Sequence, residues 1–279
     1  MLILHVGLPR CASTSLQLFF AQSNFCKYPS PILYPSTGVN SLTGDYGHST
    51  SLRYTSVNEH SLFVESSLEA DLLKELSDLS SLEAPILISS EDLWRSDPAD
   101  ICASLRDVID VSTVKIVAIR RPWLEWIFSL YCHNQNLLAD QGISFMTWTY
   151  NVALDISYMR SIGKHSMYDH DRLGCISKCF NDSLSILPFP GRGNTLRALA
   201  EVAGLDRIPE SWDKYGLSKL NSSIPLKLAM DPASSAGKPD IAPHELAMHI
   251  LYNVSSITYP LPSVENLVKQ IDNYIRLLS

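Results

Sequence analysis

The stretch that most constrains this chain is an apolar run, Leu2-Ile3-Leu4-His5-Val6, that passes through Gly7-Leu8-Pro9-Arg10-Cys11-Ala12 into a segment carrying Leu16, Phe19 and Phe20. A short apolar run bounded by Gly and Pro reads as a buried strand, and apolar residues spaced three and four apart read as one face of a helix. Strand, tight turn and helix in that order commit the chain to an α/β arrangement. They also direct the unbonded N–H groups of the helix's first turn, and the positive end of its dipole, toward an anion.

The loop departs from the nucleotide-hydrolase pattern G-x-x-x-x-G-K-[ST]. Counted from Gly7, the second Gly falls at position 12 and the Lys at 13, where this chain has Ala12 and Ser13. The loop's cation is Arg10, three places earlier, which does not reproduce a lysine held on β- and γ-phosphates. Pro9-Arg10-Cys11-Ala12-Ser13-Thr14 resembles instead the 5'-phosphosulfate loop, P-K-[ST]-G-[ST]-[ST], of the sulfotransferases that use 3'-phosphoadenosine 5'-phosphosulfate (PAPS). Arg10 stands for the Lys, Cys11 for the first hydroxyl and Ala12 for the Gly. The resemblance implies that Arg10, Cys11, Ala12, Ser13, Thr14 and Ser15 line the donor's 5' end.

A second stretch carries the same resemblance. Val114-Lys115-Ile116-Val117-Ala118-Ile119 reads as a buried strand, followed by Arg120-Arg121-Pro122 and an amphipathic segment that includes Ser129. In the family an Arg at the strand end and a Ser eight residues onward hold the 3'-phosphate. Ser129 is eight after Arg121 and nine after Arg120, whereas the R-x-P pattern selects Arg120, so both arginines stand, with Arg120 preferred. Arg offers a rigid fork for bidentate phosphate binding and Ser a neutral donor. The two motifs lie about a hundred residues apart, as they do in the family. Leu87-Ile88-Ser89-Ser90-Glu91 and Lys219-Leu220-Asn221-Ser222-Ser223 also look like bacterial members of the group.

Further strands are expected at 85–89 and 184–187, and helices near 14–22, 67–79, 98–109, 123–139, 144–161, 194–203, 243–253 and 263–277. Alternation of this kind predicts one domain, 1–279, with a central parallel sheet in a three-layer sandwich and a P-loop-like strand-loop-helix. Lys27 to Arg53 and Asn181 to Asn194 read as long loops, and Asp231 to Pro243 as a surface excursion.

Composition excludes several classes. A net charge of −7 without any Lys/Arg-rich run argues against a nucleic-acid-binding face. No apolar run reaches the ~20 residues of a membrane span, and the early strand leaves no room for a signal peptide, so a soluble, cytoplasmic protein is expected. Cys11, Cys26, Cys102, Cys132, Cys175 and Cys179 form no CxxC pair, and neither a zinc ribbon nor a disulfide frame is indicated. No metal is expected.

The resemblance implies sulfuryl transfer from PAPS to a hydroxyl or amine of a small molecule or glycan, leaving adenosine 3',5'-bisphosphate (PAP). Donors aimed at the leaving phosphate oxygen stabilise its developing charge, here the N–H groups of Cys11 to Thr14, the Ser13 and Thr14 hydroxyls and Arg10. Arg10 remains charged and stabilises without acting as an acid. The acceptor's proton calls for a base. His48, after Tyr34-Pro35 and within Asp45-Tyr46-Gly47-His48, comes first, Glu91 second and His133 third, with His5 assigned to structure inside its strand. Glu91 also reads as a helix start in Ser89-Ser90-Glu91-Asp92. The alternatives are a phosphotransferase using ATP, with Glu91 or Asp92 holding a metal, and a non-catalytic nucleotide-binding protein.

Overall fold

The computed structural model describes residues 1–24, 30–39, 46–48, 66–94, 102–103, 105–106, 108–134, 137–138, 141–190, 194–208, 210, 212, 241–255 and 260–278. Lys219 to Ser223, Cys26, most of the loop from residue 27 to 53 and nearly all of the stretch from 231 to 243 lie outside them. Strands β1 (Leu2–Val6), β2 (Ile86–Ser90), β3 (Lys115–Ile119) and β4 (Leu184–Leu187) form a single all-parallel sheet in the order β2-β1-β3-β4. Each lies within a residue or so of its expected position.

Every residue of β1 and β2 is buried, as are the last four of β3, so these strands are covered on both faces and show no alternation of polarity. In β4, at the edge opposite β2, only Leu187 is buried. Register runs Leu2↔Ile86 through Val6↔Ser90 on one side of β1 and Ile3↔Lys115 through His5↔Val117 on the other. The loops that follow β1 and β3 therefore leave the same edge of the sheet. The chain steps from β1 to one neighbour and then returns past it to the other, and at such a reversal open α/β sheets bind their ligands.

The helices are α1 (Ser13–Asn24), α2 (Ser66–Ser80), α3 (Trp123–His133), α4 (Phe145–Ser161), α5 (Arg172–Lys178), α6 (Thr195–Val202), α7 (Pro243–Val254) and α8 (Val264–Leu278). The expected 123–139 helix stops earlier: the Asn134 N–H bonds Leu130 O and Tyr131 O, and its side-chain amide donates to Leu130 O at 3.0 Å. That amide competes with continuation of the helix. Helix α5 was not anticipated.

The chain divides into two compact units, Met1–Arg120 with Leu173–Pro225, and Arg121–Arg172 with Leu226–Ser279. In the first, Ile3, Leu87, Val117 and Leu187 from the sheet pack with Leu16, Phe19 and Phe20 of α1, Leu196 and Leu199 of α6, and Trp212. The second holds a row of rings: Phe128 stacks on Tyr274 at 4.2 Å and meets Phe145 edge-on, which in turn meets Tyr131. Arg160 near the end of α4 clamps Asp169 with two 2.7 Å bonds and also donates to the carbonyls of Asn253 and Val254, which would otherwise be unbonded at the end of α7. Among the described residues no helix is long and apolar enough to cross a membrane.

Candidate functional site

The loop after β1 is built by its backbone. Gly7 N–H donates to Ser90 O at 2.9 Å, which continues the sheet past Val6 and ties the loop to the end of β2. Cys11 N–H then turns back to Leu8 O at 3.1 Å, and the Ser13 hydroxyl donates to the same carbonyl at 3.2 Å. Arg10 and Ala12 take left-handed backbone, φ 62° and 65°. For a residue with a Cβ that conformation costs roughly 1–2 kcal/mol. Two such residues in three positions mean that the surrounding structure holds the turn against strain, an arrangement that concentrates at ligand sites.

The turn delivers α1 with its first N–H groups open. Ser15 N–H is taken by Ala12 O at 3.1 Å and Cys11 N–H by Leu8 O, which leaves Ala12, Ser13 and Thr14, whose N–H groups meet no backbone acceptor among the described residues. The first turn of α1 carries no acidic residue to offset the positive helix end. Arg10 and Thr14 are exposed, while Cys11, Ser13 and Ser15 are buried. The expected donor set is thereby narrowed. Cys11 contributes no N–H and Ser13 no hydroxyl, because both brace the loop through Leu8 O. Cys11, wholly buried, is a packing residue.

Position 7 must be glycine for a reason of space. A Cβ there would come within 2.9 Å of Glu91 Cγ, 3.2 Å of Glu91 Cα and 2.9 Å of Ser13 Oγ. Glu91 therefore lies directly against the floor of the loop. It is partly exposed and begins the short 3-10 turn Asp92–Trp94, whose Trp94 N–H returns to Glu91 O at 3.2 Å.

His48 is placed otherwise than expected. It is fully buried, with Nε2 3.0 Å from Pro35 O and Nδ1 3.2 Å from Ser89 N. A carbonyl only accepts, so Nε2 carries the proton and Nδ1 accepts from the Ser89 N–H. Both nitrogens are committed to backbone, and burial lowers the pKa to about 4. An imidazole so held has no lone pair to offer a substrate, and the assignment of His48 as general base is corrected to a structural one. His5 is also buried and neutral, its pKa lowered by burial to about 3, with Nδ1 2.7 Å from Ser89 Oγ and, among the described residues, no hydrogen-bond partner at Nε2.

Of the phosphate candidates after β3, Arg120 ends the first unit, and Arg121 and Ser129 belong to the second. Arg121 donates from Nε and Nη2 to Glu125 Oε1 at 3.2 and 3.0 Å, one turn along α3. Ser129 is buried on that helix. His133 is exposed in its last turn. Among the described residues no three His, Cys, Asp or Glu side chains gather as metal ligands do.

Scans against protein-family models, curated proteins and solved structures each find no match for this chain. The candidate site accordingly stands on its geometry: three open N–H groups, a strained turn, an exposed guanidinium and a carboxylate against the turn's glycine. What sequence reasoning missed was the role of Ser89. Part of the signal was present, since His5 is the one polar residue of β1 and Ser89 follows three apolar residues in β2, and the sheet pairs them.

Proposed function

We propose that the chain is a PAPS-dependent sulfotransferase whose loop, Pro9 to Ser15, holds the donor's 5'-phosphosulfate, within a three-layer α/β sandwich of P-loop-like type. The observation that carries this reading is the left-handed pair Arg10 and Ala12 immediately before α1, where the N–H groups of Ala12, Ser13 and Thr14 meet no backbone acceptor among the described residues and can face an anion. The donor set fits a phosphosulfate: neutral N–H groups and the Thr14 hydroxyl surround charge without needing a metal, and Arg10 supplies the one cation the loop offers. The 3'-phosphate falls to Arg120, Arg121 or Ser129 as the resemblance implies. Arg120 is preferred, as the R-x-P pattern selects it.

In the transfer, an oxygen or nitrogen of the acceptor forms a bond to sulfur as the bond from sulfur to the 5'-phosphate oxygen breaks. The electron pair of that broken bond stays on the phosphate oxygen. The open N–H groups and Arg10 stabilise the charge appearing there, and each such donor is worth on the order of 10²–10³ in rate. Glu91, against Gly7, takes the acceptor's proton. The acceptor is a small molecule or a glycan, and the protein works in the cytoplasm.

The same carboxylate favours a second reading. An acid beside a phosphate loop can hold magnesium, which is what an ATP-dependent phosphotransferase requires. Calorimetric titration with PAP, and separately with ATP plus magnesium, tests both. Tight PAP binding is expected, weakened about 10–100-fold in Arg10→Ala and Arg120→Ala, the scale of one lost charge-assisted contact. Preference for ATP with magnesium overturns the sulfotransferase reading, as does unchanged PAP affinity in both variants.

A further inference from the structure

Ser89, Ser90 and Glu91 are three consecutive residues at the end of β2, and each is tied to a different part of the first unit. Ser89 takes three bonds: its N–H donates to His48 Nδ1, its carbonyl accepts His48 N–H at 2.7 Å, and its hydroxyl meets His5 Nδ1. Ser90 O accepts Gly7 N–H, and Glu91 lies against Gly7. His48 is itself anchored to Pro35 O and packs edge-on against Tyr34 at 4.6 Å, and the Tyr34 hydroxyl donates to Tyr46 O at 2.7 Å. Space around the brace is tight, since a Cβ at Gly47 would fall 2.5 Å from Gln17 Nε2 and 3.1 Å from Ser89 O.

We infer that His48, acting through Ser89, is a positioning residue that fixes Glu91 against the anion loop, with His5 holding Ser89 from the side of β1. The physical case is economy of freedom. Glu91 follows the end of an edge strand, and the strand's last residues are pinned from three directions by groups that make no other contribution to a reaction. The proposal rests on the reading of Glu91 as the base, but the placement itself is a property of the fold and can be tested apart from it.

The test uses the full chain with His48→Ala, His48→Asn and Ser89→Ala, followed by backbone amide resonances, PAP affinity and the slow release of sulfate when PAPS transfers to water. Asn restores an acceptor near Nδ1 for the Ser89 N–H but is no base. The expected result is that His48→Ala shifts the Gly7 and Glu91 amides, slows sulfate release about 10–100-fold, the cost of misplacing a group by about 1 Å, and leaves PAP affinity nearly unchanged. His48→Asn should return both the amides and the rate toward wild type. Should His48→Ala fail to fold, Ser89→Ala, which keeps the backbone bonds and deletes only the link to His5, is expected to move the same amides by less. Unmoved Gly7 and Glu91 amides in these variants overturn the inference, and so does a His48→Asn protein as slow as His48→Ala. Failure of wild type to bind PAP sinks the sulfotransferase reading instead, and the amide shifts still decide the positioning.

Discussion

The two units treat their arginines in opposite ways. In the second, Arg160 is satisfied from within: Asp169, almost wholly buried, takes its Nε and Nη2, Asp171 takes Nη2 as well at 3.0 Å, and two carbonyls at the end of α7 take what remains. His165 and the Asp171 N–H complete the carboxylate's set of donors, and this surround holds the Asp169 carboxyl below the usual range. In the first unit, Arg10 is exposed on a strained turn beside three N–H groups that meet no backbone acceptor among the described residues. The Arg160 cluster is closed and can only stabilise, whereas the turn at Arg10 and Ala12 keeps its strain and leaves N–H groups open among the described residues, as expected where a ligand completes the set.

That contrast breaks most readily at Asp169. Its replacement by Ala strands a half-buried guanidinium and removes the tie between α4 and the end of α7. We expect a loss of about 3 kcal/mol, typical of a buried pair cut on one side, read as a lower urea midpoint. Arg10→Ala should carry the reverse signature: weaker PAP binding with stability unchanged to within about 0.5 kcal/mol. Equal destabilisation by the two variants would erase the distinction between closed and open clusters.

A comparable effect comes from pH, and it acts on the first unit. His5 and His48 are neutral in the fold, with pKa values lowered to about 3 and about 4, against 6.5 for an ordinary histidine. Below pH ~6.5 the unfolded chain binds protons that the folded chain refuses, so stability is complete above that pH and falls as pH drops toward the folded values. For the pair the loss reaches about 3 kcal/mol at pH 5.5, and His48→Asn should remove about half of it. Urea midpoints measured from pH 7.5 to 5 check this. A flat profile would mean that these histidines are not held neutral by burial.

Much of the architecture was legible because it is written locally. β1, β2 and β3 are short apolar runs, and the face of α1 is marked by Leu16, Phe19 and Phe20. Helix α5 was not, since seven residues with Gly174 among them give too little periodicity to register. The site was half legible. The strand-loop-helix and its cation could be named, but neither Arg nor Ala announces left-handed backbone, and no local signal says that Cys11 N–H and Ser13 Oγ turn inward to Leu8 O. His48 was misread because its partners, Pro35 and Ser89, lie 13 and 41 residues away. Long-range commitments of this kind distinguish a structural histidine from a base, and they exist only once the chain has folded.

The smallest effect sharpens the contrast most. Ala12 holds φ 65° where a glycine would feel no strain, and the sulfotransferase pattern has Gly at that place. Ala12→Gly relieves roughly 1 kcal/mol of left-handed cost but gives the unfolded chain more freedom, worth about 0.5–1 kcal/mol in the other direction. The net change in stability is therefore expected within about 0.5 kcal/mol, with the sign on the stabilising side. If the turn is held in place for a ligand, the two backgrounds should respond differently to PAP: the bound loop keeps the same left-handed φ whether residue 12 is Ala or Gly, so the more pliable Gly loop must be ordered on binding. PAP affinity should then fall slightly, by a factor of about 2–3, even as stability rises. A rise in both would mean that the strain at Ala12 opposes binding, and that the turn is a relic of packing under Leu8 and not a prepared cradle.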